Sequence, residues 1–202
     1  ADNLTGNYNN IYGQGSGTGL SGNYNTITGY ESGDGISGNY NTVSGTNSGD
    51  FISGTYNTTI GNNTGTNLSG HNNALIGTSA GDFAQGNDNF VAGTNAGISM
   101  SGLNNFVHGH TAGSRLTGTY NSISGYDSGT SLSGNNNVAI GTNAGDRLSG
   151  ASNVAIGNGA GISLTGLYNN ANGYLTGQNL SGQYNHVDGY HSGTSLSGLG
   201  NT

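Results

Sequence analysis

The sequence predicts an all-β protein: a parallel β-roll solenoid with two short strands in each coil. Three observations predict it. First, Gly-x-x-Asn recurs every 16 residues without insertion or deletion, from Gly6-Asn9 and Gly22-Asn25 to Gly198-Asn201. A period held this strictly means that each repeat takes the same number of steps around one turn of a stack. Second, Asn25, Ile27 and Gly29 occupy alternate positions, the period-two mark of a strand with one buried face. Third, glycine falls every few residues and proline is absent. Each glycine costs a helix interior about 1 kcal/mol, and a chain without proline keeps every backbone N–H for strand ladders.

One coil, Ser21 to Ile36, serves as the frame, numbered as positions 1 to 16. Position 2 is always Gly and position 5 always Asn, while positions 9 and 13 are Gly in every coil that reaches them. Position 16 is always apolar (Leu20, Ile36, Ile52, Leu68 and onward), and position 12 always small (Ser16, Ser32, Thr64, Ala80). The first half-coil, Gly22 to Gly29, reads as a strand carrying Ile27 inward. The second half, Gly29 to Gly38, is two residues longer, and Gly at position 13 is the expected bulge or corner, with a second strand through positions 14 to 16. Positions 5, 7, 12 and 16 are expected inside, with the asparagines stacked as an amide ladder.

Composition narrows the function. Only 30% of the 202 residues are apolar and 5% charged, which alone reads as disorder, but disorder places no demand on register. A net charge of −7, with Arg115 and Arg147 as the only fixed cations, argues against nucleic acid. Without cysteine there is neither a disulfide nor a thiolate metal site. No apolar run has the length of a membrane span, and no basic-then-apolar leader precedes Ala1. The chain enters and leaves in mid-pattern, so 1–202 is expected to be one repeat domain of about twelve coils from a longer protein, with any anchor outside it.

Identity lies on the outward face. Positions 6 and 8 are apolar in the middle of the chain, at Ile60, Ile76, Phe90, Phe106, Val138, Ile140, Val154 and Ile156, and polar near both ends. A thin roll that exposed such rows would be a liability, and packing them together about a three-fold axis removes them from water; these eight are the expected trimer interface. Tyrosines collect at position 4 (Tyr8, Tyr24, Tyr40, Tyr56, Tyr120, Tyr168, Tyr184) and position 10 (Tyr30, Tyr126, Tyr174, Tyr190), beside the glycine turns. They suit seams between subunits or a sticky surface.

Other signals carry little. Gly13 to Gly19 imitates a phosphate loop, but no helix and no Lys follows. Asp34, Asp50, Asp82 and Asp146 share position 14, without the spacing of calcium-binding rolls. His108 with His110, and His186 with His191, are pairs that lack the partners of a catalytic triad. Asn3, Asn57, Asn62, Asn67 and Asn179 open Asn-x-Ser/Thr sequons that so polar a chain produces by chance. The expectation is a binding or spacing device: no enzyme, no catalytic residue, no metal and no cofactor.

Asn137-Val138-Ala139-Ile140-Gly141 and Asn153-Val154-Ala155-Ile156-Gly157, each followed closely by Ala-Gly, resemble the head repeats of YadA-like trimeric autotransporter adhesins. The likeness extends in weaker form along the whole chain, as in Asn25-Thr26-Ile27-Thr28-Gly29. It implies a homotrimer of left-handed β-rolls displayed at the outer membrane of a bacterium. It also implies attachment to host matrix proteins such as collagen, fibronectin or laminin, or to glycans. Carried over by motif, ligand binding would fall on Asn137, Val138, Ala139, Ile140, Gly141, Asn153, Val154, Ala155, Ile156 and Gly157. The usual coil of that family is shorter, with equal halves. Two other readings stand beside it: an ice-binding roll, for which Thr26, Thr42 and Thr58 begin a row, and the shaft of a phage or other exported fibre.

Overall fold

A computed structural model of the chain describes residues 3–202. No helix occurs among them, and every strand pairing is parallel, with partners 16 residues apart, as in Ile11↔Ile27 and Val138↔Val154. The chain is a parallel β-solenoid of about twelve turns. Its residues group into two compact units, Ala1–Ser101 and Gly102–Thr202.

In the first unit, positions 6 to 8 of successive coils form one ladder: β1 (Asn10–Tyr12), β2 (Thr26–Thr28), β3 (Thr42–Ser44), β4 (Thr58–Ile60), β5 (Ala74–Ile76) and β6 (Phe90–Ala92). On its other face the β pairing is reduced to single bridges at position 1, Thr5↔Ser21↔Ser37↔Ser53↔Ser69↔Gln85↔Ser101. From there strands come in pairs along the chain: β7 (Ser101–Leu103) and β8 (Phe106–His108), β9 (Thr117–Thr119) and β10 (Ser122–Ser124), β11 (Ser133–Asn135) and β12 (Val138–Ile140). They continue as β13 (Ser149–Ala151) and β14 (Val154–Ile156), β15 (Thr165–Leu167) and β16 (Asn170–Tyr174), β17 (Ser181–Gln183) and β18 (His186–Tyr190), then β19 (Ser197–Leu199). In the second unit the even-numbered strands form a ladder of positions 6 to 8, and the odd-numbered strands β11 to β19 pair in register as a second sheet.

The interior is one side chain deep. Ile27, Ile36, Leu68, Leu75, Leu116, Ile123 and Leu148 at positions 7 and 16 are fully buried, while their equivalents in the outermost coils, Ile11 and Leu196, are half-buried. Between them runs the asparagine ladder. In one rung, Asn41 donates its backbone N–H to Asn25 Oδ1 at 2.9 Å, its Nδ2 to the same oxygen at 3.1 Å, and Nδ2 again to the Gly54 carbonyl at 3.0 Å. The pattern recurs at Asn57, Asn73, Asn121, Asn137, Asn153, Asn169 and Asn185. A buried amide is thus satisfied from the coil above and the coil below, which is what makes a polar core tolerable. At position 12, Ser16 donates to the Gly29 carbonyl at 2.7 Å and Ser128 to the Ala139 carbonyl at 2.9 Å.

Two glycines show why the repeat is so strict. A Cβ on Gly54 would overlap the carbonyl oxygen of Gly70 in the next coil. At Gly33, with φ 69°, a Cβ would sit 2.8 Å from Ile27 Cδ1, so the turn closes directly against the inward side chain.

The second strand lies elsewhere than expected. Positions 13 to 15 are turn, and the strand follows position 16, at positions 1 to 3. The reason is conformational: Glu31, Gly33 and Gly35 all have positive φ (46°, 69° and 65°), and alternate left-handed residues cannot stay extended. The corner expected at position 13 is present, and the longer half-coil spends its extra residues in this turn.

Candidate functional site

The outward side chains of the common ladder are rows in register. In the first unit one row runs Thr26, Thr42, Thr58, Ala74, Phe90, and its neighbour Thr28, Ser44, Ile60, Ile76, Ala92. In the second, one runs Phe106, Ser122, Val138, Val154, Asn170, and the other His108, Ser124, Ile140, Ile156, Asn172. Ile60, Ile76, Ile140 and Ile156 are 41%, 40%, 42% and 38% exposed, and Phe106 is also exposed. Phe90, Val138 and Val154 are half-buried. All eight residues expected at a subunit interface therefore point outward, on rows that are polar elsewhere.

The residues carried over by motif divide differently. Asn137, Ala139, Asn153 and Ala155 lie wholly inside, in the amide ladder and beneath the sheet. Their side chains cannot touch a ligand. The backbone N–H groups of Gly141 and Gly157 donate to the Ser124 and Ile140 carbonyls. What remains for contact is Val138, Ile140, Val154 and Ile156, the same atoms an oligomer interface would use.

Aromatic rings make a second feature. Tyr8, Tyr24, Tyr40 and Tyr56 stack coil on coil, with centroids 4.9, 5.0 and 4.9 Å apart and planes within 10° of parallel. Tyr168–Tyr184 and Tyr174–Tyr190 repeat the arrangement at 5.1 Å. These rings are exposed. Offset stacking of this kind adds about 0.5–1.5 kcal/mol per pair. The Tyr30 phenol is held above its ordinary pKa by its hydrogen bond to, and the charge of, Glu31.

The position-14 carboxylates are structural. Asp34 Oδ1 accepts the Thr18 N–H at 2.8 Å, Asp50 the Asp34 N–H at 3.0 Å, and Asp82 the Thr66 N–H at 3.1 Å. Each caps a backbone donor of the preceding coil. Burial raises the Asp50 and Asp82 carboxyls above the usual range, with backbone hydrogen bonds opposing it. Asp146 instead pairs with Arg147 at 2.9 Å. No group of three metal-ligating side chains forms among the described residues. His186 meets Asp188 at 2.8 Å, His191 stands edge-on to Tyr190, and His110 stacks on Tyr126.

A third feature has no counterpart in the sequence reading. In the first unit a shallow trough of about 640 Å³ crosses four coils between Ser37 and Asn87, with Gly38, Gly54, Gly70 and Gly86 in its lining. Phe51 and Phe83, at position 15, are 60% and 56% exposed beside it in sequence. Two phenylalanines at an outward turn position were the available signal. No protein-family model, no curated protein and no solved structure matches the chain.

Proposed function

We propose that the chain is the head region of a bacterial surface adhesin: a homotrimer of β-rolls that attaches to host extracellular-matrix or cell-surface molecules through many weak contacts. The observation that supports this reading is the pair of in-register apolar rows, Ile60 with Ile76 and Val138–Ile140 with Val154–Ile156, left at the surface of a chain so poor in apolar residues. Rows of this kind mark interaction sites, and each isoleucine or valine taken out of water contributes on the order of 1 kcal/mol at such partial exposure. Three copies facing one another would bury them. The same shallow surface would then repeat along and around the rod, so weak contacts to a fibrous target add through effective concentration. A membrane anchor, on this reading, belongs to a segment outside this sequence.

Chromatography coupled to light scattering tests the assembly. The chain is expected to run as a trimer, and Ile140→Asp with Ile156→Asp to reduce it to monomers that no longer hold to collagen-, fibronectin- or laminin-coated surfaces. A well-folded wild-type monomer at micromolar concentration overturns the proposal. One observation favours a second reading, ice binding: Thr26, Thr42 and Thr58 stand in register with Thr28 and Ser44 alongside. The row breaks at Ala74 and Phe90. Thermal hysteresis in solution separates the two readings.

A further inference from the structure

We propose that the trough of the first unit is a binding site for an uncharged, extended glycan chain, lying along the stack; this rests on the adhesin reading and names the class of its ligand. The trough is lined by three rows in coil register: position 1 (Ser53 and Ser69), position 2 (Gly54 and Gly70) and position 3 (Thr55 and His71). The glycines are imposed by coil stacking, since a Cβ there would overlap the next carbonyl. Their rows leave a recess flanked by hydroxyl-bearing side chains. Four coils at about 4.8 Å per step make it about 14 Å long, the reach of a short oligosaccharide.

Aromatic rings bracket the same segment. Phe51 precedes Ser53 by two residues, and its ring lies over Gly35 of the preceding coil, 2.8 Å from where a Cβ would be. Tyr56 follows Thr55 directly and stacks on Tyr40 at 4.9 Å. Polar groups lining the trough, with exposed aromatic residues next to them in sequence, suit a molecule with hydroxyls at its rim and C–H bonds on its faces, which is the chemistry of a sugar. His71 supplies a defined donor. Its Nδ1 accepts the Thr55 N–H at 3.1 Å, which leaves the ring's Nε2–H as that donor.

The backbone argues against a peptide. An added strand needs unpaired main-chain groups, but the Ser53, Gly54, Thr55 and Tyr56 N–H groups already donate to Leu68 O, Ser37 O, His71 Nδ1 and Asn39 O. Charge argues against an acidic glycan. No lining residue is charged, both arginines lie in the other unit, and Asp50, Asp82 and Asp88 flank the rows.

Calorimetric titration of the intact chain with neutral hexasaccharides (β1,4-glucan, β1,3-glucan, α-mannan), beside heparin, tests the site. At least one neutral chain is expected to bind, with an affinity unchanged by added salt, and heparin is not. Phe51→Ala with Phe83→Ala should weaken binding at least about tenfold, the scale of an interface anchor. Ser69→Arg, which fills the trough, should abolish it. Both variants change exposed side chains, so circular dichroism and oligomeric state should match the wild type. The site is overturned if no neutral glycan binds, if heparin binds more tightly, or if both variants bind like the wild type. These failures leave a trimer intact, whereas a monomer that binds the glycan would overturn the trimer and keep the site.

Discussion

The two units share one ladder design and differ on the other face, and position 3 carries part of the difference. In the first unit position 3 carries Asn7, Asn23, Asn39, Thr55, His71 and Asn87. There four position-3 N–H groups are taken by the side chain one coil on: Asn7 N–H by Asn23 Oδ1, Asn23 N–H by Asn39 Oδ1 and His71 N–H by Asn87 Oδ1, each at 2.8 Å, and Thr55 N–H by His71 Nδ1 at 3.1 Å. Contact between coils shrinks to single bridges. In the second unit Ala151, Leu167 and Leu199 offer no acceptor, and the pairings β11–β13, β13–β15 and β17–β19 run over all three residues; β15–β17 does so as well, although its position 3 is Gln183. The exception within that unit follows the same rule. Where Asn135 Oδ1 takes the Thr119 N–H at 2.9 Å, β9 and β11 pair only at Thr117↔Ser133. A side-chain acceptor competes with a sheet ladder for the same donor.

Four experiments break or sharpen this comparison, in falling order of effect. The interior ladder is common to both units, so Asn57→Ala and Asn137→Ala should be equally damaging. Each strips acceptors and donors from the coils on both sides. About 3 kcal/mol or more should be lost in chemical denaturation, the sum of several orphaned buried groups. If Asn137→Ala were harmless, the amide ladder would not be what holds the second unit.

Smaller effects belong to the faces that differ. Ala151→Asn should divert the Asn135 N–H to the new side chain and reduce the β11–β13 pairing to a bridge, at a cost near 1 kcal/mol. Asn23→Ala should release the Asn7 N–H to the backbone of the next coil and lengthen the Thr5↔Ser21 bridge into a pairing over three residues, so that this amide stays protected from deuterium exchange. Fast exchange at Asn7 with the bridge unchanged would remove the competition argument.

The smallest effect is one of pH, and it is confined to the first unit. Burial raises the Asp50 and Asp82 carboxyls, so the folded chain holds their protons more tightly than the unfolded one. Their contribution to stability is therefore full at low pH and declines as pH rises from the ordinary Asp value of 3.8 through the raised one. Asp82→Asn keeps an oxygen for the Thr66 N–H and removes the buried charge. A small gain in melting temperature at neutral pH, vanishing in acid, is expected.

The interior was legible because its rules are local and constant: Asn25 and Ile27 alternate, and Ile36 closes each coil. The outward rows were legible for the same reason, since Val138 and Ile140 flank an inward Ala139. The second strand was misplaced because nothing in the letters of Phe51 or Glu31 announces a left-handed backbone, which is uncommon for such residues. The roles of Asn23 and Asp34 were hidden too. Each acts on a donor in the preceding coil, and that pairing exists only once the stack is built.

The corner at position 4 has a last consequence. Tyr24, Asn72, Asp88, Ser152 and Tyr184 differ in size, charge and polarity, yet their φ angles are 60°, 58°, 58°, 57° and 57°. The bend is imposed by the coils above and below, whatever occupant it holds. Such a site is a mounting point: its contents can be exchanged, one storey at a time, while the scaffold beneath keeps its shape. A lineage, or a protein engineer, could rewrite a whole column of surface chemistry there without renegotiating the fold.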